Sequence, residues 1–166
     1  MEHRPMRRKD RQLSQEEAWA ILKETDYGVL AVIGDQGWPY AVPMNYFVLD
    51  DGALYLHCAQ EGHKLDAIAK DDRVCFTVVA QHDLIPSQIT TVYKSAVVFG
   101  RASLVEDQAE RLALLAALID TLGDVSPEIK TKYIQNKQAK TALVKISPQH
   151  ITAKANQKYI PVTQRM

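Results

Sequence analysis

Tyr27-Gly28-Val29-Leu30-Ala31-Val32-Ile33, then Gly34-Asp35-Gln36-Gly37, then Pro39 to Leu49, Asp50-Asp51-Gly52 and Ala53 to His57 follow one another with no room for a helix between them. The three apolar runs read as strands and the Gly/Asp clusters as tight turns. Strands joined so closely pair antiparallel, as a meander of hairpins. A doubly wound parallel sheet needs strand and helix in alternation, and this stretch breaks that alternation.

Outward from it, Ser14-Gln15-Glu16-Glu17 is a capping box that opens a helix to about Thr25, with Ala18, Ile21 and Leu22 on one face. Downstream, a short helix is predicted from about His63 to Ala69 and a fourth strand over Arg73–Val79. A polar loop is expected from Gln81 to Gln88 and a long strand over Thr91–Leu104, with Gly100 as a bulge or bend. Asp107 caps a helix whose predicted core stripe is Leu112, Leu115, Ala116, Ile119 and Leu122, ended by Gly123. Ser126-Pro127 starts another helix. Ala142–Ile146 and His150–Ala155 supply the last strand or strands. About six strands with a few helices predict a mainly β fold, a small closed antiparallel barrel with α decorations. The expected organisation is a single domain over 1–166, with a basic N-terminal arm over 1–12 and a C-terminal tail over 156–166.

The 166 residues carry 20 Lys and Arg against 20 Asp and Glu, a balance that argues against a general nucleic-acid binder. Arg7, Arg8, Lys9 and Arg11 form the one basic segment, either a solvated tail or an arm that packs on a partner or reaches a phosphate. No apolar run is long enough to span a bilayer, and no hydrophobic stretch follows the N-terminal arginines as in a secretory signal. The two cysteines, Cys58 and Cys75, are too few for a disulfide framework, so a reduced, cytoplasmic protein is expected.

Chemistry-bearing residues gather at Tyr55-Leu56-His57-Cys58-Ala59-Gln60-Glu61-Gly62-His63-Lys64. This is a strand end, a turn and a helix start. Free N–H groups, the helix dipole, Lys64 and His63 suit a phosphate there, although an ordinary surface turn has the same appearance. His57, Cys58 and His63 do not complete a zinc set, and Cys58 reads as a small buried hydrophobe. Strand alternation puts His57 on the face of Tyr55. In Tyr40-Ala41-Val42-Pro43-Met44-Asn45-Tyr46, Pro43 cannot donate to a ladder, so pairing is interrupted or edge-like. That frees backbone groups, and the Asn45 amide, for a planar heterocycle. Tyr93 and Ser95 share one face of the long strand and Lys94 the other. There is no nucleophile elbow, phosphate-binding P-loop, dinucleotide glycine fingerprint or evident pair of catalytic carboxylates.

Several of these segments, in this order, resemble a known family. They are Arg7-Arg8-Lys9-Asp10-Arg11, Gly28-Val29-Leu30-Ala31, Pro39 to Tyr46, His57 to Ile68, and Tyr93-Lys94-Ser95-Ala96-Val97-Val98-Phe99-Gly100-Arg101-Ala102. The chain resembles the pyridoxamine 5'-phosphate oxidase-like FMN-binding split-barrel superfamily over about residues 6–155, and within it the nitroimidazole-resistance flavoproteins. The resemblance implies a six-stranded antiparallel split β-barrel and a homodimer with FMN at the subunit interface. It places Val42, Pro43, Met44 and Asn45 along the flavin ring, and the segment with His57, Cys58, Ala59, His63 and Lys64 against the flavin and its phosphate. Lys64 and Ser95, with Tyr93 beside Ser95, would hold the phosphate, and His57 would meet the substrate as the catalytic residue. The family's C-terminal Gly-Lys pair is Ala153-Lys154 here, which leaves the role of Lys154 open. The expected function is an FMN-dependent oxidoreductase acting on a small molecule such as a nitroaromatic. The alternatives are a non-catalytic flavin-binding or storage protein and a haem-binding split barrel.

Overall fold

The structure, a computed structural model, describes residues 3–156. Residues 157–166, nearly all of the expected C-terminal tail, lie outside the described residues, and Asn156 closes the last strand. Six strands make one closed antiparallel barrel: β1 (Tyr27–Ile33), β2 (Pro39–Val48), β3 (Leu54–Ala59), β4 (Arg73–Ile85), β5 (Thr90–Leu104) and β6 (Thr141–Asn156), in the order β1-β2-β3-β6-β5-β4. Four helices accompany them: α1 (Gln15–Glu24), α2 (His63–Lys70), α3 (Gln108–Asp120) and α4 (Pro127–Lys137).

The meander forms as expected because each hairpin satisfies its own backbone groups locally. The predicted capping box is complete: the Ser14 hydroxyl accepts from Glu17 N–H, and the Glu17 carboxylate accepts from Ser14 N–H. α1 buries Ala18, Ile21 and Leu22 in the main core with Leu30, Leu54, Leu56, Phe76, Val98 and Ile146. Buried Tyr46 joins α1 to the barrel, its hydroxyl donating to the Leu22 carbonyl at 2.8 Å and lying 2.6 Å from that of Thr25. Desolvation pushes this phenol's pKa up to about 12.

Two readings need correction. The segment from Gln81 is not a loop: β4 runs on to Ile85 opposite Thr90, leaving only Pro86–Gln88 as a 3-10 turn. Its polar residues suit a strand there because the extended hairpin is largely exposed to solvent. α3 buries Leu114, Leu115, Leu118 and Ile119, so of the predicted stripe Leu115 and Ile119 are buried, Leu112 and Ala116 are only half-buried, and Leu122 is 72% exposed beyond the helix end. The helix is apolar around most of its circumference, so its phase is set by what it covers. That is a second cluster of Phe47, Tyr55 and Leu143 on the barrel's outer face.

Gly100 lies at the predicted irregularity, where the β5–β6 register shifts and Gln149 is the extra residue of β6 between Pro148 and His150. One extra residue inverts the strand's alternation. Before it, even-numbered Ala142, Val144 and Ile146 face the core; after it, odd-numbered Ile151 and Ala153 do.

Candidate functional site

The barrel opens between β2 and β3. They pair only through Tyr46–Val48 and Leu56–Leu54. β3 then continues along β6 as far as Ala59, while residues 39–45 of β2 keep β1 as their ladder partner. Pro43 therefore occupies a strand with one open edge, as its missing N–H demands. Met44 is buried and Val42 half-buried, both against the core. Pro43 and Asn45 are exposed, and the Asn45 amide donates to the Asp26 carbonyl at 3.2 Å.

His57, Cys58 and Ala59 lie on β3 just past the last β2–β3 pair. Half-buried His57 lies across from Leu143 on the Tyr55 face, as the alternation predicts. Its Nδ1 is buried and, among the described residues, has no hydrogen-bond partner. Desolvation lowers the imidazole pKa, which favours the neutral ring. Cys58 packs against the barrel core, and burial pushes its thiol pKa up while the nearby Lys64 charge opposes that shift. A thiol so disposed is mostly protonated at neutral pH, in keeping with a packing role. Ala59 is exposed at the strand end.

Gly62 precedes α2 at φ +131°, a conformation that side chains rarely adopt. The His63 and Lys64 amides, in the first turn of α2, lack intrahelical acceptors. Lys64 is half-buried and, among the described residues, forms no ion pair. The His63 ring stacks on Tyr40 with centroids 4.2 Å apart, and its Nε2 lies 3.6 Å from Asp35. Asp35 also pairs with Lys70 at 3.0 Å.

Tyr93 and Ser95 lie elsewhere in the chain. Leu56 pairs with Val144 and Val144 with Leu104, while Ser95 is further back on β5 by ~30 Å of strand at about 3.3 Å per residue. Ser95 is buried on the barrel's outer face, and Lys94 turns the other way to pair with Glu24 at 2.6 Å. A single chain thus brings Val42–Asn45, His57–Ala59, His63 and Lys64 into one neighbourhood and sets Tyr93 and Ser95 apart from them.

An outer face of β1, β4 and β5 lies outside the core clusters. Tyr27, Val29, Ile33, Val79 and Phe99 are between 38% and 58% exposed on it. Val29 pairs with Thr77 and Thr77 with Val97, so the patch is continuous across the strands. Within β1, Leu30 and Val32 face the core and Val29 and Ile33 face outward. A cavity of about 320 Å³ on this face is lined by Ala31, Ile33, Cys75 and Phe99, among others, and by none of the nominated site residues. It is mainly a feature of the apolar face. Sequence reasoning also missed Tyr40 as the stacking partner of His63, although Tyr40 stands in the quoted β2 segment.

Among the described residues no group of three or more His, Cys, Asp or Glu side chains forms a metal site, and no helix is long and apolar enough to cross a membrane.

No curated protein matches the chain. Solved structures do. A candidate 5-nitroimidazole antibiotic resistance protein from Bacteroides thetaiotaomicron is 22% identical with a TM-score of 0.73, covering 87% of this chain and 86% of that one. An FAD-binding protein from Mesorhizobium loti is 22% identical with a TM-score of 0.62, covering 88% and 97%. An FAD and haem binding protein from Mycobacterium smegmatis is 21% identical with a TM-score of 0.69, covering 89% and 74%. At such identities these likenesses speak for the fold. The family model described as pyridoxamine 5'-phosphate oxidase matches residues 14–155, nearly the whole barrel, and the chain belongs to that family.

Proposed function

We propose that this protein is a flavin-dependent oxidoreductase that binds FMN between two copies of the chain and reduces a small acceptor such as a nitroaromatic. The observation that carries the reading is the division of the nominated site. Lys64 and the open edge of β2 stand at one place, Tyr93 and Ser95 at another, and an exposed apolar face lies on the same barrel. A second copy seated on that face would cover apolar surface of a kind that monomers seldom leave exposed. It would also allow both clusters to reach one ligand.

The residues present fit a flavin. An open strand edge offers backbone groups to a planar heterocycle, while the α2 amides and Lys64 offer donors and charge to its phosphate. His57, whose burial favours the neutral ring and whose Nδ1 has no partner among the described residues, would orient an acceptor by hydrogen bonding. Its lowered pKa makes it a poor standing acid at neutral pH, so a proton passed to product would be replenished from solvent. The flavin, when bound, supplies the redox chemistry; the chain binds, orients and excludes water. Flavin-binding relatives of the same fold support this reading.

An absorbance spectrum of the purified protein, followed by cofactor release and identification, tests it. FMN is expected. A haem spectrum would replace the flavin reading, and a colourless protein that takes up no added flavin would overturn it. If FMN is bound, rapid reduction by a nicotinamide donor is expected; its absence with every donor tried would favour a flavin-binding protein without turnover.

A further inference from the structure

The apolar outer face of β1, β4 and β5 has a projecting end and a recessed end. Cross-strand partners share a face, so Leu84 (opposite Thr91), Val79 (opposite Ser95) and Cys75 (opposite Phe99) all stand on this outer face. The bulge residue Ala80 is the reason: without it, Leu84 would turn inward with Phe76 and Val78. Leu84 is 67% exposed and Ile89, across the turn, 96%. With Ile85 and Pro86 they form the apolar tip of the β4–β5 hairpin. Among the described residues this tip lies beyond the last rung that β4 shares with β1 and the last that β5 shares with β6. At the other end, the hollow of about 320 Å³ takes Ala31, Cys75 and Phe99 from three adjacent strands.

On β5 the three rungs fall at Thr91, Ser95 and Phe99, so knob and hollow each lie four residues, about 13 Å, from the Val79 rung. A contact between identical faces needs that symmetry, because whatever one copy inserts it must also receive. A two-fold axis lying between two such sheets and crossing the strands at Val79 reverses the strand direction. It carries each Leu84 over the partner's Cys75. Aligned sheets cross at about 30°, which moves the knob sideways by about 6–7 Å, roughly one strand spacing, and the hollow spans three strands. No lysine or arginine lies between Gln81 and Thr91, so the tip brings no like charge to the Arg73 and Arg101 that also line the hollow. We infer that the β4–β5 hairpin of each copy seats Leu84 in the hollow of a second copy, with Val79 against Val79 at the axis. The inference rests on the two-copy assembly proposed above and not on the flavin.

Leu84→Cys tests it, because the new thiol would face the partner's Cys75 across the interface. A bismaleimide with a spacer matched to the ~10 Å between packed sheets should then give a covalent dimer on a denaturing gel. The parent should give none, since its two Cys75 thiols would stand about 26 Å apart along the strands. Leu84→Cys combined with Cys75→Ser should give none either. Leu84→Asp should raise the dimer dissociation constant about a hundredfold or more in sedimentation velocity, because two leucines leave the interface together, while the circular dichroism spectrum stays that of the parent. A dimer that binds FMN but gives no crosslink through Leu84→Cys overturns the inference and leaves the flavin reading in place. A crosslinked dimer that takes up no FMN upholds the seating and removes the flavin reading alone. A monomer at every concentration overturns the inference together with the two-copy assembly, and uptake of an apolar dye by that monomer would assign the hollow to a small ligand instead.

Discussion

Replacing Gly100 by alanine tests how closely β5 and β6 must approach at the irregularity that orients Lys154. A Cβ at this position would lie 2.5 Å from the Ser147 carbonyl oxygen and 3.1 Å from the Ser147 carbonyl carbon. Ordinary contacts of this kind are longer than 3 Å, so the strands must part by about half an ångström or more at a point where both neighbours are backbone. Overpacking of this sort costs about 1–3 kcal/mol. Alanine also restricts the unfolded chain, which returns about 0.4–1 kcal/mol. The expected net loss is thus about 1–2 kcal/mol, read as a lower urea midpoint at unchanged slope. A Gly100→Ala protein as stable as the parent would refute the claim that close approach at Ser147 holds the irregularity in place.

Other expectations follow from single contacts. Tyr46→Phe leaves the Leu22 carbonyl without its buried donor and should cost about 1–2 kcal/mol in urea unfolding. The parent should also lose stability as pH rises from 10 toward 12, because the unfolded phenol ionises first; the Phe variant should lack that component of an alkaline titration. His57 has its pKa lowered by burial, so the unfolded chain takes up its proton first. Its contribution to stability is present above about pH 6.5 and is lost as pH falls through the folded value, and His57→Gln should flatten that acid limb in thermal melts. Turnover that is unchanged in His57→Gln at saturating acceptor would rule out an orienting role. Lys64→Ala should weaken FMN by roughly 1.5–3 kcal/mol and riboflavin far less; equal losses in fluorescence titrations would remove Lys64 from the phosphate site.

Much of the architecture could be read from local signals. The Ser14 capping box, the two Gly/Asp turns and the alternation in β3 involve residues close together in sequence, and each was realised at its predicted place. Pro43 signalled an open edge because a missing N–H has the same consequence in any sheet. The errors arose where a distant neighbour decides. Gln81–Ile85 becomes strand because β5 lies alongside to pair with it, and α3 turns the face that Phe47, Tyr55 and Leu143 require.

The same division holds for the site. By itself the sequence determined which residues lie on which strand face, that His57 shares a face with Tyr55, and that Gly62-His63-Lys64 opens a helix; these follow from chain stereochemistry and nearest-neighbour hydrogen bonds. Only the tertiary structure decided that Lys64 and Ser95 stand apart in one chain, that burial favours a neutral His57, and that Arg11 and Lys154, from the two ends of the chain, both come near the Tyr93 ring. Barrel closure, desolvation and the meeting of charges depend on which distant segments become neighbours, and no local pattern encodes that distance.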